Sequence, residues 1–218
     1  MNHYNMDVSD RILSAASSLF ERLGIRSVSM DDISRQLGMS KKTIYQYFKD
    51  KDDIVTNYCC WHRKTHTEKL KSIAEDSPSA LHELLALTEY MRESLSKMNP
   101  GLLHDLHKYH PTGYSVIQDH KSLDVMPGII KSIQRGIDEG YYRSDINVLV
   151  LAKLRLEEVE MAFNPLVFPP SKFVMAEVQQ QLMEHFFRGL LTLEGTKAFE
   201  ALRLAQPNKP HPPSFFRQ

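Results

Sequence analysis

The sequence predicts an all-α protein, and three observations carry that prediction. Apolar residues recur three and four positions apart over most of the chain, and no stretch keeps the two-residue alternation of a strand. Capping residues and glycines stand where the apolar stripes begin and end. Breakers at residues 75–79, 99–101 and 164–170 cut the remainder into helices of ordinary length.

At 218 residues the chain has room for one small and one medium domain. The pattern divides it into a small helical domain over 1–50 and a larger one over 51–205. Residues 206–218, with four prolines in 13 positions, read as a flexible tail. Hydrophobic content of 42% and charged content of 25% are those of a soluble globular protein. The first seven residues hold neither a basic n-region nor an apolar h-region. No apolar run reaches the roughly 18 residues a bilayer demands. The expected compartment is the cytoplasm, with no membrane partner. Cys59 and Cys60 are neighbours and offer no disulfide framework.

The first helix should begin near Asp7 or Ser9 and run to Leu23, with Ile12, Ala16, Leu19, Phe20 and Leu23 as its stripe and Gly24 as its stop. Ser29 is an N-cap, and Asp32 takes the Glu-like place in a variant of the capping box. Ile33 and Leu37 share one face of a short helix, and Gly38 follows where a left-handed residue would close it. Ser40 is a second N-cap only two residues later, and Ile44 and Phe48 repeat the four-residue spacing. Two short helices with almost no linker must cross steeply, which is the helix-turn-helix arrangement.

The second of these helices gives its remaining faces to Lys41, Lys42, Thr43, Tyr45, Gln46 and Tyr47. Lysine supplies point charges for phosphates, glutamine a paired donor and acceptor for base edges, and the hydroxyls positioning contacts. From Ile33 to Lys51, five basic side chains stand against Asp50 alone, whereas the 27 basic and 27 acidic residues of the whole chain cancel. A basic spot on a neutral protein suits a small surface that docks double-stranded DNA.

The run from Arg11 to Val55 resembles the amino-terminal domain of the TetR/AcrR family of bacterial one-component regulators. The likeness rests on Ile12-Leu13-Ser14-Ala15-Ala16, Leu19-Phe20, Gly24 and Val28 through Ile33. It continues through Leu37-Gly38-Met39-Ser40, Thr43 through Phe48 and Lys51-Asp52-Asp53-Ile54. The resemblance implies an all-helical homodimer whose carboxy-terminal domain binds a small-molecule effector, and a repressor that the effector releases from its operator. Carried over position by position, Lys41, Lys42, Tyr45 and Gln46 would face the major groove. Ser29, Thr43, Tyr47 and Lys51 would hold phosphates, and Ser40 completes the DNA-binding set. Lys42 departs from the glycine or alanine the family often shows there.

Beyond the helix-turn-helix, Ile54, Val55, Tyr58, Trp61, Leu70 and Ile73 predict a long connecting helix from Lys51 to about Ile73. Leu81 through Met98 forms the next, and Leu102 to about His110 a short one closed by Pro111. A helix from about Thr112 to Glu139 should kink or break at Pro127-Gly128. After Gly140, Ser144 or Asp145 should cap a helix to about Phe163, and the last long helix should run from about Ser171 to Glu194-Gly195, with a short extension to Ala205. The resemblance puts an effector cavity among the middle helices, with Tyr90, Met91, His104, His107 and Tyr114 as its candidate lining.

The last two long helices are apolar on two sides and need two partners. One is their own domain, and the other is the same pair from a second subunit, with Glu157, Met161, Met183, Phe187 and Leu191 as candidate contacts. The alternative is a helix central to its own domain. His104, His107 and His110, and Cys59, His62 and His66, have spacings that could present metal ligands, but neither set shows a strong metal motif. No cofactor or metal is expected, and a metal-responsive regulator and a helical protein-interaction adaptor stay as alternatives. There is no glycine-rich phosphate loop and no nucleophile elbow, so no enzyme is expected.

Overall fold

The computed structural model describes residues 7–96 and 98–205, so the expected tail at 206–218 lies outside the described residues. The chain is all-helical: α1 (Val8–Leu23), α2 (Met30–Leu37), α3 (Lys41–Tyr45), α4 (Lys51–Asp76), α5 (Ala80–Ser96), α6 (Leu102–Tyr109) and α7 (Pro111–Asp119) come first. A π-helical segment (His120–Val125) leads into α8 (Met126–Asp138), followed by α9 (Val148–Ala162), α10 (Met175–Leu190) and α11 (Leu193–Leu204). Among the described residues there is no strand, only an isolated antiparallel bridge between Tyr142 and Leu191. No helix among them is long and apolar enough to cross a membrane.

Two compact units form. Among the described residues, the first takes the chain up to Thr65 together with Lys97–His120, and the second takes His66–Ser96 and the chain from Lys121 onward. This differs from a boundary at residue 50, because α6 and α7 belong to the core of the first unit. Leu102 and Leu106 join Ile12, Phe20, Ile33 and Ile44 in one cluster. Asn99 donates its backbone N–H to Glu21 O at 2.7 Å, and the Asp105 carboxylate accepts from Arg26 N at 2.9 Å. The first contact satisfies a carbonyl at the end of α1, and the second holds the turn that leads into α2.

The second unit has its own core, in which Leu81, Leu84, Ile133, Tyr142, Phe186 and Phe199 meet. Arg135 ties its helices together. The guanidinium donates to Ser77 O at 2.8 Å and to Glu139 Oε1 at 2.8 Å, while Glu139 Oε2 accepts from Ala80 N at 2.8 Å. One pair thus serves the end of α4 and the start of α5.

Several expected boundaries move, each for a local reason. The break expected at Pro127-Gly128 falls earlier, in the π segment, because Pro127 sits in the first turn of α8, where its missing N–H leaves nothing unsatisfied. Asn147 caps α9, its side chain accepting from Val150 N at 3.1 Å, whereas Asp145 pairs with Arg143. The last long helix ends at Leu190 instead of near Gly195. Leu191 turns extended to bridge Tyr142, and Thr192 opens α11 as a new N-cap. Gly195 is a packing glycine, since a Cβ there would meet the Tyr141 carbonyl oxygen at 2.1 Å.

Candidate nucleic-acid interface

The helix-turn-helix forms as the caps dictate. Ser29 Oγ accepts from Asp32 N at 3.2 Å, and Asp32 Oδ2 accepts from Ser29 N at 2.9 Å, closing a reciprocal capping box. The Ser29 hydroxyl and amide hold the Asp32 carboxyl below its usual range. Gly38 takes the left-handed conformation at φ 63°, and its N–H serves the last carbonyls of α2. Ser40 Oγ accepts from Thr43 N at 3.1 Å to begin α3. The reading helix is short: regular α-structure ends at Tyr45, and Gln46 and Tyr47 follow in a tightened turn.

Packing decides which side chains are presented. Ile44 is fully buried and Phe48 nearly so, which anchors α3 to Ile33 and Phe20 in the core. With that side committed, Lys42, Gln46, Tyr45 and Tyr47 point outward, and the two tyrosines keep half and somewhat less than half of their surface exposed. A lysine, a carboxamide and two phenols on one small projection can contact phosphates and base edges.

The remaining residues of the expected set have internal partners. Lys41 Nζ lies 2.9 Å from Asp31 Oδ1, and that carboxylate raises the Lys41 amine above its ordinary value. Ser29, Ser40 and Thr43 use their hydroxyls within the caps, the last two 2.9 Å from each other. Lys51, expected at a phosphate, turns inward. Its Nζ donates to Ile25 O at 2.7 Å, and burial pushes its pKa down. Asp31 was missed by sequence reasoning as the partner of Lys41, because no short-range spacing links residues on two crossing helices. Asp52 and Asp53 also have structural roles. Asp53 accepts from Lys49 N at 2.9 Å while Asp50 accepts from Asp53 N at 2.9 Å, and Asp52 Oδ1 is 2.6 Å from His110 Nδ1. The signal was present: Asp50 and Asp53 repeat the three-residue spacing of Ser29 and Asp32.

The candidate effector residues are divided between the two units. Tyr90 and Met91 lie in the second unit, where Tyr90 lines a cleft of about 350 Å³ with Lys69, Ile73, His82, Leu85 and Glu93. His104, His107 and Tyr114 lie in the first unit. The His107 and Tyr114 rings are 4.7 Å apart, and Tyr114 packs on the helix-turn-helix core. The five therefore do not share one cavity within either unit. The candidate dimer residues divide too. Met183 and Leu191 are buried inside the second unit, Phe187 is half-buried, and Glu157 and Met161 are exposed. The apolar residues that α9 leaves outside are Leu149, Val150, Leu154 and Met161.

Among the described residues, no three His, Cys, Asp or Glu side chains come together as a metal-ligand set. His104 and His107 face solvent, while His110 is buried against Asp52. Cys59 is buried and its thiol is pushed up to about 12, while Cys60 is exposed.

Comparison with known proteins agrees with this geometry. Residues 12–57 match the model of the bacterial regulatory proteins of the tetR family. A relative of nearly the same length is the uncharacterized HTH-type transcriptional regulator YvaF of Bacillus subtilis, 22% identical over 86% of this chain and 98% of its own. Among solved structures, a TetR-family transcriptional regulator from Agrobacterium tumefaciens superposes with a TM-score of 0.68 at 18% identity, covering 84% of this chain and 97% of that one. The regulator FadR from Bacillus subtilis, solved in complex with stearoyl-CoA, superposes at 0.60 with 17% identity over 83% of this chain and 98% of its own.

Proposed function

The chain is a transcriptional regulator of the tetR family, and on that footing we propose that it works in the cytoplasm as a homodimeric repressor, released from its operator when a small molecule binds the second unit. Lys42, Tyr45, Gln46 and Tyr47 make the DNA contacts. Lys41 joins them by exchanging Asp31 for the nucleic acid, since an ion pair this exposed to solvent is screened and easily given up. Ser29, Ser40 and Thr43 set the angle of the reading helix, and Lys51 braces the loop in front of it. No catalytic step is assigned.

The observation that carries this reading is the pinned reading helix: capped by Ser40, anchored by Ile44, with its polar side chains outward. Such a short helix reaches few base pairs, so useful specificity calls for two copies on two half-sites. The exposed apolar face of α9 supports the second copy, and the stearoyl-CoA complex of FadR supports a small-molecule effector. Because α4 runs unbroken from Lys51 to Asp76 and contributes to both units, an effector that shifts α4 in the second unit also biases the reading heads. The test is a titration of purified protein on a duplex carrying its own promoter and on a scrambled duplex. Preference for the promoter supports the reading, and equal affinity for the two removes it.

A further inference from the structure

The second unit buries an ion pair that DNA reading does not use. Arg155 and Glu158, three residues apart on α9, are 5% and 8% exposed and lie on the inward face with Ala152, Leu156 and Ala162. Taking both charges out of water is costly, and only close geometry with further hydrogen bonds on each partner recovers the loss. Here the contact is a single one, Arg155 Nη1 to Glu158 Oε2 at 3.3 Å. Among the described residues, neither side chain has another partner, although a guanidinium carries five N–H donors. Burial accordingly holds Arg155 below the ordinary arginine range.

Facing this stretch, α10 supplies Gln179, which is 2% exposed. Its Nε2 donates to Val159 O at 2.8 Å, one helical turn beyond Arg155. Its Oε1 is wholly buried and accepts from nothing among the described residues. Turning the amide over would bring its oxygen against the Val159 carbonyl, so the unpaired acceptor would remain. The other buried residues of α10 nearby, Met175, Val178 and Met183, are apolar. A buried acceptor left without a partner in this way needs an explanation.

We propose that Arg155, Glu158 and Gln179 form the head-group site for the effector, and that the effector has an apolar body with one neutral head able both to accept and to donate a hydrogen bond: an alcohol, a phenol or a primary amide. This rests on the effector-binding reading above. Arg155 donates to the oxygen of the head, and the O–H or N–H of the head donates to Gln179 Oε1. Neutrality follows from Glu158, which already balances Arg155. A carboxylate head would leave a net negative charge in an apolar interior, and an ammonium head a net positive one.

The probes are decanol and decanamide, with decanoate and decyltrimethylammonium as charged counterparts, titrated calorimetrically into the full chain. The neutral probes should bind at least about tenfold tighter than either charged one, and Gln179→Leu should weaken them about tenfold. The double variant R155M/E158L replaces the pair with apolar side chains. It should melt no lower than the wild type and lose the preference for neutral heads. No binding of any probe, equal affinity for all four, or the same preference in the double variant overturns the site. A small-molecule extract of the source cells separates this from the effector reading. Release of promoter DNA from wild type and double variant alike keeps the effector and removes this site. Release from wild type alone supports both, and release from neither removes the effector reading and the site with it.

Discussion

Gln46 and Lys42 are both exposed on the reading segment, with different expected duties. A carboxamide can pair with the edge of one base, so Gln46→Ala should cost about 1–3 kcal/mol at one base pair and little on other sequences. Lys42→Ala should weaken every duplex alike and lower the slope of log affinity against log salt by about one unit. Titrations on single-base-pair operator variants at several salt concentrations separate the two. Lys51 gives the contrasting case. Because its ammonium serves the Ile25 carbonyl, Lys51→Met should destabilise the first unit by about 1–2 kcal/mol in a denaturation curve and leave the salt slope unchanged. His62 is held neutral: burial first, and the charge of His120 second, push it down to about 4. The unfolded chain takes up that proton near pH 6.5 and the folded chain only near pH 4. Stability is therefore full above about pH 7 and lost as pH falls between those values, by about 3 kcal/mol. Denaturation followed through Trp61, the single tryptophan, should show the fall, and His62→Gln should flatten it.

At the scale of elements, the corner between α2 and α3 depends on one backbone conformation. Nothing lies within 4 Å of a Cβ built on Gly38, so the cost of Gly38→Ala is the left-handed strain alone, about 1 kcal/mol, and Gly38→Asn should cost less. Melting temperatures of the two variants, with operator affinity falling in the same order, check this. The corner was legible in the sequence because its signals are local: two serine caps, a glycine and a four-residue apolar spacing within twenty positions. Where contacts between distant residues decide, the sequence was less informative. Nothing near Asp31 announces Lys41 as its partner, and nothing near Lys51 announces the Ile25 carbonyl. The run Phe186 to Leu193 reads as one stripe, yet the bridge between Tyr142 and Leu191 ends the helix and leaves Leu193 exposed. Met183 and Leu191 show the same limit: an apolar residue on a second stripe is equally suited to its own core or to a partner, and here its own core takes both.

For the whole molecule, the claim is that two reading heads act together on one duplex. If the outward apolar face of α9 joins two copies, Leu154→Glu, at a position 46% exposed, should convert dimers to monomers in sedimentation without lowering the melting temperature of the single chain. It should also cost operator affinity far more than tenfold, because the second half-site is lost. A variant that remains dimeric would move the interface elsewhere. The most direct measurement is a fluorescence anisotropy titration of the full chain on its own promoter duplex, repeated between 50 and 200 mM salt. The account predicts two chains per site and an affinity that falls by roughly 10³-fold across that range, as six or more phosphate contacts demand. Binding by a single chain, or an affinity indifferent to salt and to sequence, would contradict it.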